Sequence, residues 1–483
     1  MKLRELLQGI ACAAVQGDAD AEILGVHFDS RQVGEGFLFI AHRGTSVDGH
    51  DFIGSAIANG AVAVLFEQSP PELIPGIVYA RCADTSRALG MVAANFYGNP
   101  SRALKLVGVT GTNGKTTTAT LLYELVRLLG HPAGLLSTVC NYVDGKRSET
   151  SCTTPDPVHL NAMMRQMVDA GCRYCFMEVS SHAIDQQRVS GLAFDGAIFS
   201  NITHDHLDYH KTFKRYIETK KAFFDGLPRE AFALANADDK HASVMLQNTA
   251  ARAYTYACKR SADFTARAIE RRLDGMLLSI NGSEVWMQFV GDFNVYNLLA
   301  VYAAASLLGF SDAEILPAMS RLVPVAGRFD VLISPAGVMA IVDYAHTPDA
   351  LENVLSTIER LKHAGSQVIT VVGAGGDRDR TKRPLMAAAA CRYSDRVILT
   401  SDNPRSEDPE AIIEEMYEGA PAEARDRVLR VSRREEAIRA ALLLARRDDI
   451  VLVAGKGHET YQEIKGVKHP FDDKEIIRDL FTS

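Results

Sequence analysis

Apolar β-rich runs alternate with amphipathic helical runs along most of the chain, and the alternation restarts near residue 328. Before that point, the runs that predict strands cover residues 104–110, 173–179 and 194–201, and those that predict helices cover residues 117–129, 158–170, 212–225, 294–308 and 311–322. Residues 250–290 have the pattern of short antiparallel strands. Strands separated by helices are typical of a parallel sheet with crossover connections.

After residue 328, predicted strands at 338–344, 367–373, 396–401 and 450–454 are separated by predicted helices at 348–363, 380–392, 408–417 and 433–446. The first 99 residues end in a turn-forming segment at 97–100. The predicted fold class is therefore α/β in three domains. Residues 1–99 form a small N-terminal α/β domain, residues 100–327 a central domain with a P-loop-type, mostly parallel sheet and flanking helices, and residues 328–483 a C-terminal Rossmann-like α/β domain.

Length and charge narrow the functional classes. The chain has 483 residues and a formal net charge of −8, so it should hold more than one core and offers no broad surface for nucleic acid. No apolar run approaches the roughly 18 residues of a membrane span, and a cytoplasmic location is expected. Among eight cysteines, only Cys172 and Cys175 are close in sequence, and we interpret them as reduced core thiols.

The segment 110–117, Thr-Gly-Thr-Asn-Gly-Lys-Thr-Thr, follows a predicted strand and precedes a predicted helix, which indicates a phosphate-binding loop. Backbone N–H groups and the positive end of the helix dipole would face an anion. Lys115 would reach the β- and γ-phosphates, and the Thr116 hydroxyl would bind Mg²⁺. Because Val109 stands where the general pattern has glycine, a shorter loop variant is predicted.

Two strands that follow one another along the chain, in the same predicted sheet, lead into polar residues. Glu178 lies at the end of one strand, where a carboxylate suits Mg²⁺. The next strand leads into a segment that contains His204, His206 and His210. Three histidines within seven residues could form a zinc site, yet no H-E-x-x-H or cysteine spacing supports one.

Lys220 lies on the apolar stripe of the helix predicted at 212–225, whereas Lys221 lies on its polar face. A buried ammonium is costly unless it is paired or chemically changed, so Lys220 is a candidate functional residue. The alternative is a lysine whose stem follows the apolar surface while its ammonium reaches water.

Polar clusters also follow the four predicted strands of the last sheet, at residues 343–346, 375–378, 402–405 and 455–459. Ligands of parallel α/β sheets bind at the carboxyl ends of the strands. We therefore expect these clusters to face one crevice.

The residues above closely resemble, over essentially the whole chain, the Mur ligase family of ATP-dependent, amide-forming ligases of peptidoglycan precursor synthesis. The family loop is similarly Gly-Thr-Asn-Gly-Lys-Thr, and the segments 178–182, 201–208, 327–328, 343–348 and 455–459 recur in the family order. The resemblance implies that the N-terminal domain binds UDP, the central domain ATP and the C-terminal domain an amino acid.

The resemblance implies an ATP site with two Mg²⁺ ions. The implied ATP-binding residues are Gly111, Thr112, Asn113, Gly114, Lys115, Thr116 and Thr117 of the loop, Asn294 and Asn297 near adenine, Arg328 and Asp343 near ribose and phosphate, and His346 close to the nucleotide. Thr116 and Glu178 would hold the first Mg²⁺. Lys220, carbamylated to N6-carboxylysine, would hold the second with His206, and Lys115, Lys220 and His206 are the implied catalytic residues.

Other segments resemble substrate-binding parts of the family. Segments 29–31 and 44–51 resemble the UDP-binding region, with Ser30 as the implied contact. Positions that match those binding the muramoyl-dipeptide are Thr153, Thr154, Ser180, Gln186 and Arg188. Asp156 stands where many relatives have serine, which leaves the details of that contact open.

The segment 402–405, Asp-Asn-Pro-Arg, matches the motif of family members that add meso-diaminopimelate rather than lysine. Diaminopimelate carries an additional carboxylate at its far end, which Arg405 can bind with two parallel hydrogen bonds. The implied amino-acid site consists of Arg378, Asp402, Asn403, Arg405, Gly455 and Glu459.

The implied substrates are ATP, UDP-N-acetylmuramoyl-L-alanyl-D-glutamate and meso-diaminopimelate, bound by a monomeric enzyme. The substrate carboxylate would attack ATP to form an acyl phosphate, which the amine would then attack. One alternative is another carboxylate–amine ligase, such as a folylpolyglutamate synthase or a lysine-adding enzyme. A different alternative is a P-loop ATPase module that uses hydrolysis for movement or partner binding.

Overall fold

The computed structural model describes residues 1–44, 47–70, 72–150, 152–203, 205–272 and 274–482. Three large sheets follow one another along the chain, and a two-stranded sheet lies beside the last of them. Three residues of the sequence motifs lie outside the described part: Thr45, Ser46 and His204.

The N-terminal sheet has five strands: β1 (Cys12–Gln16), β2 (Gly25–His27), β3 (Phe37–Ile40), β4 (Ala61–Phe66) and β5 (Val78–Cys82). Its helices are α1 (Leu3–Leu6), α2 (Ile53–Ala58) and α3 (Thr85–Phe96), with 3-10 turns at Ser30–Gln32, Gly49–Phe52 and Pro100–Ala103. The strand order is β1-β5-β4-β3-β2, and only β1 runs antiparallel to its neighbour. Asp84 begins α3 because its carboxylate accepts a hydrogen bond from the backbone N–H of Arg87 at 2.9 Å.

The central sheet contains eleven strands: β6 (Lys105–Thr110), β7 (Ala133–Leu136), β8 (Asn141–Val143), β9 (Lys146–Ser148), β10 (Tyr174–Glu178), β11 (Gly196–Phe199), β12 (Phe232–Asn236), β13 (Arg252–Ala257), β14 (Phe264–Arg272), β15 (Gly275–Ile280) and β16 (Ser283–Met287). The helices of this unit are α4 (Lys115–Leu128), α5 (Pro157–Asp169), α6 (Ser181–Asp185), α7 (Leu207–His210), α8 (Phe213–Asp225), α9 (Ala242–Leu246), α10 (Asp292–Leu307) and α11 (Asp312–Met319).

The order of this sheet is β16-β15-β14-β13-β12-β11-β6-β10-β7-β8-β9. Seven strands, β14, β13, β12, β11, β6, β10 and β7 in sheet order, are parallel. An antiparallel hairpin extends each edge, β15 and β16 beside β14, and β8 and β9 beside β7. The sequence-based expectation of antiparallel strands throughout 250–290 is wrong for β13, which pairs in parallel with β12. Periodicity reports which face of a strand is buried and carries no information on the direction of its neighbour.

The C-terminal sheet contains β17 (Asp330–Ile333), β18 (Met339–Asp343), β19 (Val368–Val372), β20 (Arg396–Leu399), β21 (Val428–Arg430) and β22 (Ile450–Ala454), and β23 (Tyr461–Ile464) and β24 (Val467–Pro470) form the two-stranded sheet. The helices are α12 (Pro348–Leu361), α13 (Lys382–Tyr393), α14 (Pro409–Glu418), α15 (Arg434–Leu444) and α16 (Asp473–Thr482), with a 3-10 turn at Ala422–Arg427. The strand order is β17-β18-β22-β19-β20-β21, and only β17 is antiparallel to its neighbour. The predicted α/β fold class is confirmed, and the domain limits at residues 99 and 327 stay predictions.

Helices cover both faces of the central and C-terminal sheets, so each of these sheets has two apolar layers. Cys172 and Cys175 lie in one such layer, where burial raises the pKa of both thiols. Strands buried on both faces are typical of parallel α/β sheets. Polar side chains are therefore concentrated at the strand ends.

A fully buried ion pair joins α15 to the start of α16. Arg434 Nε and Nη2 donate to the two carboxylate oxygens of Asp473 at 2.8 and 2.7 Å, and both side chains are inaccessible to solvent. Arg434 Nη2 also donates to the carbonyl of Ala454 at 3.0 Å, at the end of β22. The pair therefore anchors the strand end that leads into the segment 455–459.

We predict that Asp473→Ala lowers the free energy of unfolding by about 3–5 kcal/mol, because the substitution leaves the Arg434 guanidinium buried without its counter-charge. The control is Glu436→Ala, which removes an exposed partner 3.9 Å from Arg439 and should cost less than about 1 kcal/mol. Urea unfolding followed by circular dichroism measures both. Equal, small losses would contradict this account of the buried pair.

Candidate active site between the central and C-terminal sheets

The phosphate loop connects β6 to α4 and depends on two glycines. Gly111 and Gly114 have φ angles of 149° and 88°. A Cβ atom would lie 2.0 Å from Ser200 Oγ at Gly111 and 2.5 Å from Asn297 Oδ1 at Gly114. A side chain at either position would therefore distort the loop, which supplies the physical reason for this short glycine pattern.

The end of β11 fixes the tip of the loop. Ser200 Oγ donates to the carbonyl of Asn113 at 2.6 Å, and Asn201 Oδ1 accepts from the backbone N–H of Asn113 at 2.9 Å. Thr112 Oγ1 lies 3.1 Å from Tyr216 Oη of α8 and accepts from the backbone N–H of Thr203 at 3.0 Å. The loop is therefore pre-organised by neighbouring elements.

Two lysine ammonium groups converge on this loop. Lys115 Nζ donates to the carbonyl oxygens of Gly111 and Thr112 at 3.0 and 2.9 Å. Lys220 Nζ donates to the same Gly111 carbonyl at 2.9 Å and lies 4.7 Å above the Tyr216 ring. The sequence prediction that Lys220 is buried is confirmed, because the residue is 1% exposed.

The burial of Lys220 is not compensated by a carboxylate, since no salt bridge to it forms within 4 Å among the described residues. Desolvation and the neighbouring Lys115 ammonium lower the pKa of Lys220 well below its usual value. Desolvation also lowers the pKa of Lys115, and Glu178 and Asp205 act in the opposite direction. An amine with a lowered pKa is available in its neutral, nucleophilic form.

A chain of hydrogen bonds joins the two sheets at the start of α4. Thr116 Oγ1 donates to Glu178 Oε2 at 3.0 Å and accepts from Arg328 Nη2 at 3.1 Å. Glu178 is 1% exposed, and its Oε1 accepts from the backbone N–H of Thr138 at 2.7 Å. Thr117, the last predicted loop contact, is buried in the first turn of α4. The predicted metal ligands Thr116 and Glu178 are therefore direct neighbours.

His206 lies at the start of α7 with a φ angle of 55°, and its Nε2 is 3.3 Å from Asp205 Oδ2. Its ring centroid is 4.9 Å from that of His182. Burial lowers the pKa of His206 to about 3. The ring is therefore neutral near pH 7 and can offer a nitrogen to a metal. His210 is directed to a different partner, with Nε2 2.9 Å from Ser181 Oγ.

The predicted adenine contacts form a small polar unit in α10. Asn294 Nδ2 donates to the carbonyl of Val290 at 2.8 Å, and Asn297 Nδ2 donates to Asn294 Oδ1 at 3.0 Å. The close approach of Asn297 to Gly114 brings this unit to the loop.

The C-terminal sheet contributes the other predicted nucleotide contacts. The Arg328 guanidinium lies 4.4 Å above the Tyr344 ring. Asp343 accepts hydrogen bonds from the backbone N–H groups of Phe329 and Ala345, both at 2.7 Å, so it holds the Arg328 segment against the end of β18. His346 Nδ1 donates to the carbonyl of Tyr344 at 2.8 Å, and burial lowers the pKa of His346 to about 4.

Four of the predicted dipeptide contacts form one network beside Glu178. Thr154 Oγ1 donates to the Glu178 carbonyl at 2.9 Å and accepts from the Ser180 backbone N–H at 3.2 Å. Arg188 Nη1 donates to the Thr154 carbonyl at 2.8 Å, and its Nη2 donates to Gln186 Oε1 at 2.6 Å.

Thr153 accepts from Thr138 Oγ1 at 3.1 Å at the border of this network. Asp156 instead begins α5 by accepting from the backbone N–H groups of Val158 and His159 at 2.9 and 3.0 Å, which gives this residue a structural role. Ser30 lies in the N-terminal unit, where its carbonyl accepts from Asn59 Nδ2 at 2.8 Å, and no hydrogen bond joins it to the network among the described residues.

The predicted amino-acid site surrounds the ends of β20 and β22. Asn403 Nδ2 donates to Glu459 Oε2 at 2.8 Å, and Arg405 Nη1 donates to the carbonyl of Gly376 at 2.7 Å. Gly455 has a φ angle of 118°, and a Cβ atom there would lie 2.5 Å from Asp402 Oδ2. Arg378 lies in the neighbouring segment and donates to the carbonyl of Asp377 at 3.1 Å. The predicted residues are therefore brought together, with Arg378 at the exposed rim.

Comparison with known proteins identifies the family. The Mur ligase family catalytic domain matches residues 22–97, the Mur ligase middle domain residues 109–305 and the Mur ligase glutamate ligase domain residues 327–457. The UDP-N-acetylmuramoyl-L-alanyl-D-glutamate--2,6-diaminopimelate ligase of Bacteroides fragilis is 54% identical over 482 residues, covering 100% of this chain and 99% of the relative. The protein of the same name from Bacillus cereus is 41% identical over 492 residues, covering 100% of this chain and 99% of the relative.

The chain belongs to the Mur ligase family. It is an ATP-dependent ligase that forms amide bonds, and the family resemblance of its motifs is confirmed. A solved structure of a UDP-N-acetylmuramoyl-L-alanyl-D-glutamate--2,6-diaminopimelate ligase superposes with a TM-score of 0.71 at 33% identity, covering 100% of this chain and 99% of that one.

The MurF ligase of Thermotoga maritima, solved in complex with ADP, gives a TM-score of 0.65 at 18% identity, covering 96% of this chain and 97% of that one. At this identity the similarity shows the fold alone. In the described part of this Mur ligase, no helix has the length and apolar character that crossing a bilayer requires.

Two contacts of this Mur ligase were not predicted from its sequence. Asp349, in the first turn of α12, accepts from Asn113 Nδ2 at 2.8 Å and from Thr203 Oγ1 at 3.4 Å, so a C-terminal helix contacts the phosphate loop. Lys456 was included in a motif but not among the site residues, although its ammonium contacts Asn403 and Glu459. An acidic residue at a helix start and a lysine between glycines are common on protein surfaces. Neither pattern therefore indicated a contact within the site.

The donor set of this Mur ligase fits Mg²⁺. Glu178 is a buried carboxylate that has no cation within 4 Å among the described residues, and a hydroxyl lies beside it. Hard oxygen ligands of this kind are those that Mg²⁺ prefers. The unmodified side chains in the described part contain no cluster of three or more His, Cys, Asp or Glu suited to a metal, so the remaining ligands would be water, substrate phosphates or a modified side chain.

We predict that Gly114→Ala weakens ATP binding at least about tenfold, because left-handed backbone costs about 1–2 kcal/mol for an alanine and the new Cβ would meet Asn297. The control is Gly130→Ala, just after the same helix, where φ is 84° and no atom lies within 4 Å of the new Cβ. Calorimetric titration with ATP should show unchanged affinity in this control. Equal losses of affinity in both variants would contradict a specific role of the loop.

Proposed function

We propose that this Mur ligase joins meso-diaminopimelate to UDP-N-acetylmuramoyl-L-alanyl-D-glutamate in peptidoglycan precursor synthesis. The observation that carries the proposal is that Asn403, Arg405 and Glu459 lie together beyond the ends of β20 and β22. Glu459 accepts from Asn403, and Arg405 Nε lies 3.4 Å from Glu463 Oε2, so cationic and anionic groups are close to one another. Such a cluster suits the far end of diaminopimelate, which carries both an ammonium and a carboxylate. The names of relatives up to 55% identical over the whole chain support the same substrates.

The proposed nucleotide site comprises the loop from Gly111 to Thr117 together with Asn294, Asn297, Arg328, Asp343 and His346. The start of α4 supplies backbone N–H groups and a positive helix end for the phosphates. The Lys115 ammonium is held by two loop carbonyls within the same turn, from which it can turn toward the β- and γ-phosphates.

Two Mg²⁺ ions are proposed. Thr116 and Glu178 would hold the first, and His206 and a carbamylated Lys220 the second. Carbamylation converts the Lys220 amine into a carboxylate-like group, and burial without a carboxylate partner favours the neutral amine from which a carbamate forms. The modified nitrogen keeps one N–H, which can still donate to the Gly111 carbonyl. Bound Mg²⁺ would supply charge neutralisation for the phosphoryl group in transfer.

In the proposed reaction, the γ-carboxylate of the D-glutamyl residue attacks the ATP γ-phosphorus, forming an acyl phosphate and releasing ADP. The diaminopimelate amine then attacks the acyl carbon, and the tetrahedral intermediate expels inorganic phosphate. Thr153, Thr154, Ser180, Gln186 and Arg188 would orient the dipeptide, and Ser30 would contact the UDP part. Lys115 would stabilise the negative charge during phosphoryl transfer, which depends mainly on positioning and electrostatics.

We further propose that the enzyme acts as a monomer in the cytoplasm. All eight cysteines are free thiols, as expected in a reducing compartment. Sedimentation of the purified protein tests the monomeric state.

We predict that the wild-type enzyme releases phosphate strongly only when meso-diaminopimelate is added with ATP and the UDP-dipeptide. Arg405→Ala should raise the KM for meso-diaminopimelate by roughly 10- to 100-fold, because a charge-assisted pair contributes about 1.5–3 kcal/mol. Arg430→Ala is the control, since Arg430 pairs with Glu414 on the surface of the same domain.

The same assay separates the alternatives. Preference of the wild type for L-lysine would retain the ligase chemistry and contradict our interpretation of the segment 402–405. Phosphate release without any amine would instead favour the ATPase module.

We predict that Lys220→Ala lowers kcat about 100-fold or more, the scale on which lost transition-state electrostatics act. The control is the adjacent Lys221→Ala, because Lys221 pairs with Asp225 in the next turn of α8. Carbon NMR of wild-type enzyme supplied with ¹³C-labelled bicarbonate should show a carbamate signal that is missing in Lys220→Ala. Full activity of a folded Lys220→Ala variant would contradict the assigned role.

A further inference from the structure

Lys456 is a fully buried lysine at the end of β22. Its side chain is inaccessible to solvent, and its ammonium donates to Asn403 Oδ1 at 3.1 Å and to Glu459 Oε2 at 3.0 Å. The ammonium also lies 5.5 Å from the centre of the Tyr461 ring. Because a buried ammonium is costly unless it is well paired, these contacts fix its position closely.

The contacts of Lys456 orient both neighbours. Asn403 Oδ1 accepts from the ammonium and from the backbone N–H of Glu463 at 2.9 Å, so the amide nitrogen must point the other way. That nitrogen donates to Glu459 Oε2 at 2.8 Å. One carboxylate oxygen of Glu459 therefore receives two donors. The other oxygen, Oε1, has no hydrogen-bond partner among the described residues, and the side chain is 15% exposed.

We infer that Lys456 is a positioning residue that selects amines carrying a second ammonium at their far end. The inference rests on the proposed function and deepens it. By occupying Glu459 Oε2, Lys456 and Asn403 hold Oε1 toward the crevice, where it can accept from the far-end ammonium of diaminopimelate. The nearby Arg405 would bind the far-end carboxylate, so the two charges of the substrate are recognised by separate groups.

A substrate pair distinguishes this role from a general contribution to folding. meso-Diaminopimelate and 2-aminopimelate share the reacting amine and the far carboxylate, and only the former carries the far ammonium. We expect the wild type to prefer diaminopimelate in kcat/KM by roughly 10- to 100-fold, the value of one hydrogen bond to a charged group.

In Lys456→Met the ratio of kcat/KM for meso-diaminopimelate to kcat/KM for 2-aminopimelate should fall to within about threefold. The kcat/KM for 2-aminopimelate and the KM for ATP should be nearly unchanged. Lys456→Gln, which keeps an N–H donor without the charge, should retain an intermediate preference. The matched control is Lys468→Met, because Lys468 lies 4.2 Å from the same Tyr461 ring on the exposed strand β24. This control should behave as wild type.

The outcomes distinguish a failure of the proposed function from a failure of the role assigned to Lys456. If the wild type shows no dependence on diaminopimelate, the proposed function fails. If the wild type depends on diaminopimelate but Lys456→Met retains the preference, or slows both amines equally, only the role of Lys456 is contradicted. Loss of the folded state in both Lys456 variants, measured by thermal melting, would also contradict it, because it would assign this lysine to stability alone.

Discussion

The hydrogen-bond chain from Glu178 through Thr116 to Arg328 joins the central sheet to the C-terminal sheet, beside an apolar contact between Phe293 of α10 and Phe329. Each sheet buries its strands on both faces, so polar groups can collect only where the strands end. The chain of contacts makes those ends face each other. The phosphate loop and the proposed dipeptide network adjoin Thr116 and Glu178, so their positions relative to the C-terminal sheet depend on this junction.

Lys115, Lys220 and Lys456 lie in two different electrostatic settings, and the side chains of Lys220 and Lys456 are buried. Lys115 and Lys220 share the carbonyl of Gly111, so their charges oppose one another at short range. Lys456 lies among a carboxylate, an amide oxygen and an aromatic ring, which compensate its charge. This contrast supports the proposed carbamylation of Lys220, which has no carboxylate partner. Lys456 is paired, so its ammonium can stay charged and orient its neighbours.

Contacts between the central and C-terminal units join the phosphate loop to the unit that holds the proposed amine site. Asp349 contacts Asn113 at the tip of the phosphate loop, and Arg328 contacts Thr116 at the start of α4. The C-terminal unit thereby contributes directly to the surroundings of the proposed nucleotide site. In the proposed reaction the acyl phosphate must meet the amine before water does, and these contacts hold the C-terminal unit against the phosphate loop.

The sequence by itself determined the α/β class, the strands at β6, β10 and β22, the shortened loop and the burial of Lys220, because each follows from local periodicity or from the conformational freedom of glycine. It did not determine the parallel pairing of β13, the hydrogen bond of Asp349 to the phosphate loop, or the mutual contacts of Lys456, Asn403 and Glu459. Those features depend on which strand ends and helix starts come together from distant parts of the chain. Only tertiary structure decides such contacts, since residues 236 positions apart, as Asn113 and Asp349 are, share no local pattern.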